Sequence, residues 1–287
     1  MVRVRLVFVV ALGVAGILAA GCDPDDRASR ITAAEPAAAA SAAGLSPAAS
    51  PRPSAAKAGA SGSSRQRRSG VQDLAAGIPA FPPRPYAQPV LLPRGPDQAA
   101  LASRIPTPHK VAFLTVDDGW VKRPEAVELL RVANVPVTLF LTVDAIESNP
   151  GYFRELQRLG GVIEAHTISH RSLAGQSYEV QRQEICGSAH WLGTQYGRRP
   201  ELFRPPYGEH DQTTLRAAED CGMRAVLLWT ETVNNGIVRY QSPEARVQPG
   251  DILLLHFRET FAADFLAALT AVAAAGLTPA LLEDYVL

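Results

Sequence analysis

The sequence predicts an α/β fold of parallel β/α units over residues 106–287, and three observations predict it. Short runs of strand character alternate with helical patterns along the chain. The strand runs are almost continuously apolar, as strands buried on both faces are. Polar residues collect just after the strand ends, the place where β/α barrels build active sites. The expected strands are 111–116, 137–141, 162–166, 202–204, 225–229, 252–256 and a short one near 277–281. The expected helices are 124–133, 152–159, 178–196, 213–220 and 262–275.

The chain has 287 residues, is 47% hydrophobic and carries a formal charge of +0. That allows one medium domain plus extras, and the neutral balance gives no sign of a nucleic-acid partner. Arg3 and Arg5 precede an apolar run, residues 6–18, that ends in Leu18-Ala-Ala-Gly-Cys22. The run is short for a spanning helix, and the small residues suit a signal peptidase. Residues 1–21 are expected to be a signal peptide. The site resembles a bacterial lipobox, with Cys22 lipidated and the protein held on the outer face of the cytoplasmic membrane. Residues 22–105 are rich in Ala, Pro, Ser, Gly and Arg, with few large apolar residues before Val90. They are expected to be a disordered tether, with 81–101 as a strap on the domain.

The first strand ends in Asp117-Asp118-Gly119-Trp120. Successive side chains on a strand point to opposite faces, so the two carboxylates can do different jobs. A turn with a helix cap is the plainer reading of such a triplet. After the third strand comes His166-Thr-Ile-Ser-His170. Two imidazoles plus a carboxylate suit a divalent cation and leave it a net positive charge to acidify water. Zinc fits such a set, and so do cobalt, nickel or manganese. Phe203-Arg-Pro-Pro-Tyr-Gly208 is a stiff loop whose first free amide belongs to Tyr207. That amide can serve an oxyanion, and Arg204 can hold a carboxylate. His256 closes a wholly apolar strand and is either a satisfied core histidine or a general acid.

The ordered set Thr115-Val-Asp-Asp-Gly119, His166-Thr-Ile-Ser-His170, Arg204-Pro-Pro-Tyr207 and Leu254-Leu-His256 resembles the polysaccharide deacetylases of carbohydrate esterase family 4. The resemblance covers 106–287 and implies a distorted (β/α) barrel of about seven parallel strands that removes acetyl groups from a glycan with a metal. It implies that Asp118, His166 and His170 bind the metal and that Asp117 is the general base, steadied by Arg204. The Tyr207 amide would stabilise the oxyanion, and His256 would protonate the leaving group. Leu254 would line the acetyl-methyl pocket. Trp120 stands where the family often has proline and is expected either in a sugar-stacking wall or packed against the barrel rim, and Trp229 is expected in the substrate pocket.

The chain departs from the family where an Asp-Trp pair usually tunes the acid histidine. It reads Trp229-Thr-Glu-Thr-Val-Asn-Asn-Gly236 instead. Asn235 or Thr232 are expected as uncharged stand-ins, Glu231 as a charged one if it points inward, and the His256 pKa as less raised. His109, His190 and His210 look unrelated to the metal, although His210 could border the cleft. Cys186 and Cys221 are expected as a disulfide or as two buried thiols. The leading expectation is a monomeric, lipid-anchored deacetylase of N-acetylated envelope glycan such as peptidoglycan. An O-acetyl polysaccharide esterase and an inactive glycan-binding lipoprotein are the alternatives.

Overall fold

The computed structural model describes residues 76–287. The expected signal peptide, Cys22 and the tether up to residue 75 lie outside the described residues.

The sheet is built outward from β2 (Val111–Asp118). Val111 and Phe113 belong to an inner core with residues such as Phe140, Leu202, Leu227 and Ile252. Ala112, Leu114 and Val116 belong to the core under the helices. Strand alternation therefore sends Thr115 and Asp117 to the inside as well. β2 pairs in parallel with β3 (Val137–Leu141) and with β9 (Ile252–His256), which puts Asp117 opposite Phe140 and His256. Beyond β3 the order runs through β4 (Gly161–Ala165), β5 (Leu202–Phe203), β6 (Ala225–Leu227) and β1 (Ala100–Ala102). Beyond β9 come β7 (Glu231–Asn234) and the antiparallel β8 (Ile237–Tyr240), while β10 (Thr278–Ala280) pairs with the start of β2.

Chain continuity closes this sheet into a distorted barrel. β7 starts only a few residues after β6, yet it pairs with β9 on the far side of the order. The seam is sewn by an Arg104–Asp251 bridge and by the Ile105 amide donating to the Gly250 carbonyl at 2.9 Å. Gly250 has φ +86°, and a Cβ there would lie 1.9 Å from the Ile105 carbonyl oxygen, so only glycine fits.

The helices are α1 (Pro124–Ala133), α2 (Val143–Ile146), α3 (Pro150–Arg158), α4 (Tyr178–Tyr196), α5 (Gln212–Asp220) and α6 (Phe261–Ala274). Their ends follow local chemistry. Pro124 and Pro150 open α1 and α3, where a missing amide costs nothing. Ser177 caps α4 and Gly197 ends it in the left-handed region. Asp211 and Thr214 cap α5 reciprocally. Cys186 of α4 and Cys221, just past α5, are joined by a disulfide with Cα atoms 5.0 Å apart. Among the described residues no helix is long and apolar enough to cross a membrane.

The fold differs from the expectation at the edges. Paired structure starts before residue 106: β1 pairs with β6, and the segment before it is fastened too. Arg84 Nε donates to the Pro279 carbonyl, Thr278 donates to the Pro82 carbonyl, and Val90 bridges Val286. Against about seven expected parallel strands, the described residues form ten, one of them antiparallel. The β7–β8 hairpin turns at Asn235-Gly236, both with positive φ.

Candidate active site

The polar ends of β2, β4, β5 and β9 meet at one mouth of the barrel. Asp117 and Asp118 diverge there because Asp118 leaves the strand with φ 75°. Gly119 follows at φ +111°, and a Cβ on it would sit 2.4 Å from Ile146, so the sharp turn needs glycine.

Asp117 is held from inside. Arg204 Nη1 donates to Asp117 Oδ1 at 2.7 Å and to Thr115 Oγ1 at 2.8 Å. Its other nitrogens donate to the carbonyls of Leu227 and Leu228, both at 3.1 Å. The guanidinium lies 4.2 Å from the Phe140 ring and 5.7 Å from that of Trp229, and the residue is 0% exposed. Burial lowers the Arg204 pKa, and the Asp117 charge and hydrogen bond oppose that shift.

Asp118 faces the two imidazoles. Its Oδ1 lies 3.5 Å from His166 Nε2 and 3.1 Å from His170 Nε2. His166 Nδ1 is 2.7 Å from the Arg204 carbonyl. A carbonyl only accepts, so the proton sits on Nδ1 and the Nε2 lone pair points toward Asp118. Burial works to raise the Asp118 pKa, but the neighbouring His166, His170 and His256 imidazoles hold it far below the carboxylate range. Burial likewise opposes charge on His166, and the Asp117 and Asp118 carboxylates override it and raise its pKa.

The three ligand atoms lie within 4.8 Å of one another. Asp118 Oδ1 is buried and has no well-formed hydrogen bond. A buried carboxylate oxygen left open between two imidazole nitrogens fits a divalent cation, and the donor set is one that zinc takes.

His256 is half-buried beside Asp117 on the neighbouring strand. Burial lowers its pKa, with Asp117 and Asp118 opposing and the Arg258 charge assisting. Among the described residues no side chain hydrogen-bonds its ring. Glu231 does not fill that place. Its register partner is Leu253, whereas Thr232 is opposite Leu254, so Glu231 is on the other face from Leu254 and His256. Glu231 interacts instead with Thr230 and Asp251. Asn235 is spent at the hairpin turn, which leaves Thr232 on the face of Leu254 and His256.

Leu254 is buried on that inner face, between Ile252 and His256. Trp229 is half-buried over Arg204 and against Gly208. Tyr207 has φ 62° and is 65% exposed, with its ring edge-on to His170 at 4.9 Å. Trp120 is 52% exposed just past the carboxylates. His210 Nδ1 donates to the Gly208 carbonyl at 2.9 Å within its own turn, so Nδ1 carries the proton there. His109 pairs with Tyr285, away from the metal-type cluster. Sequence reading missed Thr115, Thr142 and Thr167. Thr115 anchors Arg204, Thr142 donates to the His166 carbonyl, and Thr167 Oγ1 accepts the His170 amide. Only their places inside or beside the motifs could have marked them.

Residues 104–226 match the family model described as polysaccharide deacetylase. An uncharacterized protein of Streptomyces coelicolor is 42% identical over 161 residues, covering 56% of this chain and 65% of that protein. A peptidoglycan-N-acetylglucosamine deacetylase of Bacillus cereus is 30% identical over 149 residues, covering 50% of this chain and 54% of that one. The chain thus spans less than two thirds of either relative. A crystal structure of a family 4 carbohydrate esterase pseudoenzyme from Bacillus anthracis superposes with a TM-score of 0.57 at 17% identity, over 64% of this chain and 68% of the other. That likeness shows the fold. With the four motifs gathered at one barrel mouth, residues 104–226 match the polysaccharide deacetylase family, the family that those motifs resemble.

Proposed function

We propose that this chain is a metal-dependent hydrolase that removes acetyl groups from N-acetylated cell-envelope glycan, of the peptidoglycan or poly-N-acetylglucosamine type. One observation carries the reading. Of two adjacent buried carboxylates, one is clamped by an arginine and the other faces two imidazoles. A base and a cation ligand thereby stand on consecutive residues.

A divalent cation held by Asp118, His166 and His170 would supply Lewis acidity, lowering the pKa of water and polarising the acetyl carbonyl. The chain's own residues do the rest. Asp117 commits Oδ1 to Arg204, which leaves Oδ2 to take the proton of the attacking water. The Tyr207 amide follows two prolines and is the first free donor for the oxyanion. Leu254 gives the acetyl methyl an apolar seat. His256 delivers a proton to the leaving nitrogen as the carbon–nitrogen bond breaks, and the products are acetate and an amine. Trp120 and Tyr207 are exposed enough to meet sugar rings. The reading includes zinc as the metal, with cobalt, nickel or manganese as substitutes, and anchorage through Cys22 outside the cytoplasmic membrane. The N-terminal pattern of basic, apolar and small residues before Cys22 supports the anchorage.

A second reading keeps the site and changes the bond to an O-acetyl ester. The lowered His256 pKa and a ring that no side chain among the described residues hydrogen-bonds favour it, because an alcohol leaves with less help from an acid than an amine does. Acetate release from N-acetylglucosamine oligomers, purified peptidoglycan and O-acetylated xylan tests both. Release from the amide substrates that stops on chelation and returns with zinc or cobalt supports the leading reading. Release from xylan alone selects the ester. No release from any substrate refutes both.

A further inference from the structure

The loop that carries both metal-type histidines is strained. Thr167 and His170 sit at φ 69° and 59°, in the left-handed region that non-glycine residues avoid. Such a conformation is strained for a residue with a Cβ, so the surroundings must hold it there. Part of the hold comes from the α2 side. Val143 and Asp144 donate their amides to the carbonyls of Thr167 and Ile168. That leaves the loop's own amides to be satisfied.

Helix α4 satisfies them through one side chain. Glu184 Oε2 accepts the amides of Ile168 and Ser169, both at 2.9 Å, and Oε1 accepts the Ser169 hydroxyl at 2.7 Å. Arg171 Nε stands 3.6 Å from Oε1. Glu184 is 8% exposed, on the face of α4 that also buries Gln181 and Ser188. One turn on, Gly187 makes room for the loop: a Cβ there would lie 2.6 Å from Ile168 Cδ1. The disulfide at Cys186 fixes this same turn of α4 to the end of α5. A carboxylate and a glycine, three positions apart on one helix face, thus form a socket for the loop.

We infer that Glu184 is a positioning residue for the metal centre: by holding the Ile168 and Ser169 amides it fixes the turn that aims His166 and His170 at Asp118. This rests on the reading of Asp118, His166 and His170 as metal ligands. Glu184 touches neither metal nor substrate. It acts through the loop backbone, as partners beyond the ligands commonly do, at about 10–100-fold in metal affinity when removed.

The test is zinc affinity of the full chain, measured by competition with a chromophoric chelator, together with amide hydrogen exchange of the metal-free wild type. Glu184→Ala is expected to weaken zinc binding about 10–100-fold, with Glu184→Gln in between because its amide oxygen still accepts. Gln183→Ala, one position away on α4, is expected to bind as the wild type does. In the metal-free wild type the Ile168 and Ser169 amides are expected to exchange slowly. Glu184→Ala binding zinc as tightly as the wild type would overturn the inference and leave the metal reading intact. Rapid exchange of both amides in the wild type would overturn it without recourse to any variant. A wild type that binds no zinc would sink the metal reading, and this inference with it.

Discussion

Replacing Arg204 with methionine tests how the base is held. Arg204 and Asp117 approach to 2.7 Å with both side chains out of water. At an effective dielectric of 20 that attraction is about 6 kcal/mol. Desolvating two ions costs several kcal/mol each, so the pair as a whole contributes little net stability. Removing one partner is different, because the desolvation of Asp117 stays while its compensation goes. Arg204→Met also strips donors from the Leu227 and Leu228 carbonyls. The expected loss is about 3–5 kcal/mol, or roughly 6–20 °C in Tm for a domain of this size. Asp117→Leu combined with Arg204→Met removes both charges together. The double variant should therefore be less destabilised than the sum of the singles, by about 2–3 kcal/mol. Urea unfolding of the four proteins, with the disulfide intact, measures each term. Additivity within about 0.5 kcal/mol would refute the pairing argument.

Other consequences follow from the same contacts. Cys186→Ser and Cys221→Ser should each destabilise the fold by about 4 kcal/mol, from a bridge spanning 35 residues; the double variant should lose no more than either single in urea. Glu231 is raised to about 8 by burial, with the Asp251 charge adding to the shift. A raised carboxyl keeps its proton in the folded state, so its stabilising contribution is complete below pH 4.5 and lost as pH rises through 8. Glu231→Gln should flatten the decline of Tm over that window, and an unchanged slope would count against it. Cys22→Ala should move the full chain from the detergent-rich to the aqueous phase on detergent partitioning, and retention in the detergent phase would contradict lipidation.

The fold was legible wherever burial imposed a pattern. β2, β3 and β9 are apolar runs long enough to read, and β2 ends where its two carboxylates announce a strand end. β1 is three residues of an alanine-rich stretch without periodicity, and it becomes a strand only because β6 offers an unpaired edge. The β7–β8 hairpin did carry a signal, an Asn-Gly between two β-branched pairs, which was read instead as a stretch missing a motif. The site was legible as residue types at strand ends. What could not be read was direction. Glu231 lies a few residues from the barrel mouth, yet its register puts it on the opposite face from His256. Glu184 looks like any charged residue of a helix until the loop folds down on it.

The account stands or falls on what occupies the space between Asp118, His166 and His170. The most direct measurement is an anomalous difference map at the zinc edge from crystals grown with zinc. The account predicts a single strong peak about 2.0–2.2 Å from Asp118 Oδ1 and from the Nε2 atoms of His166 and His170. A zinc peak held elsewhere, with Asp118 hydrogen-bonded to the two imidazoles and nothing between them, would contradict it.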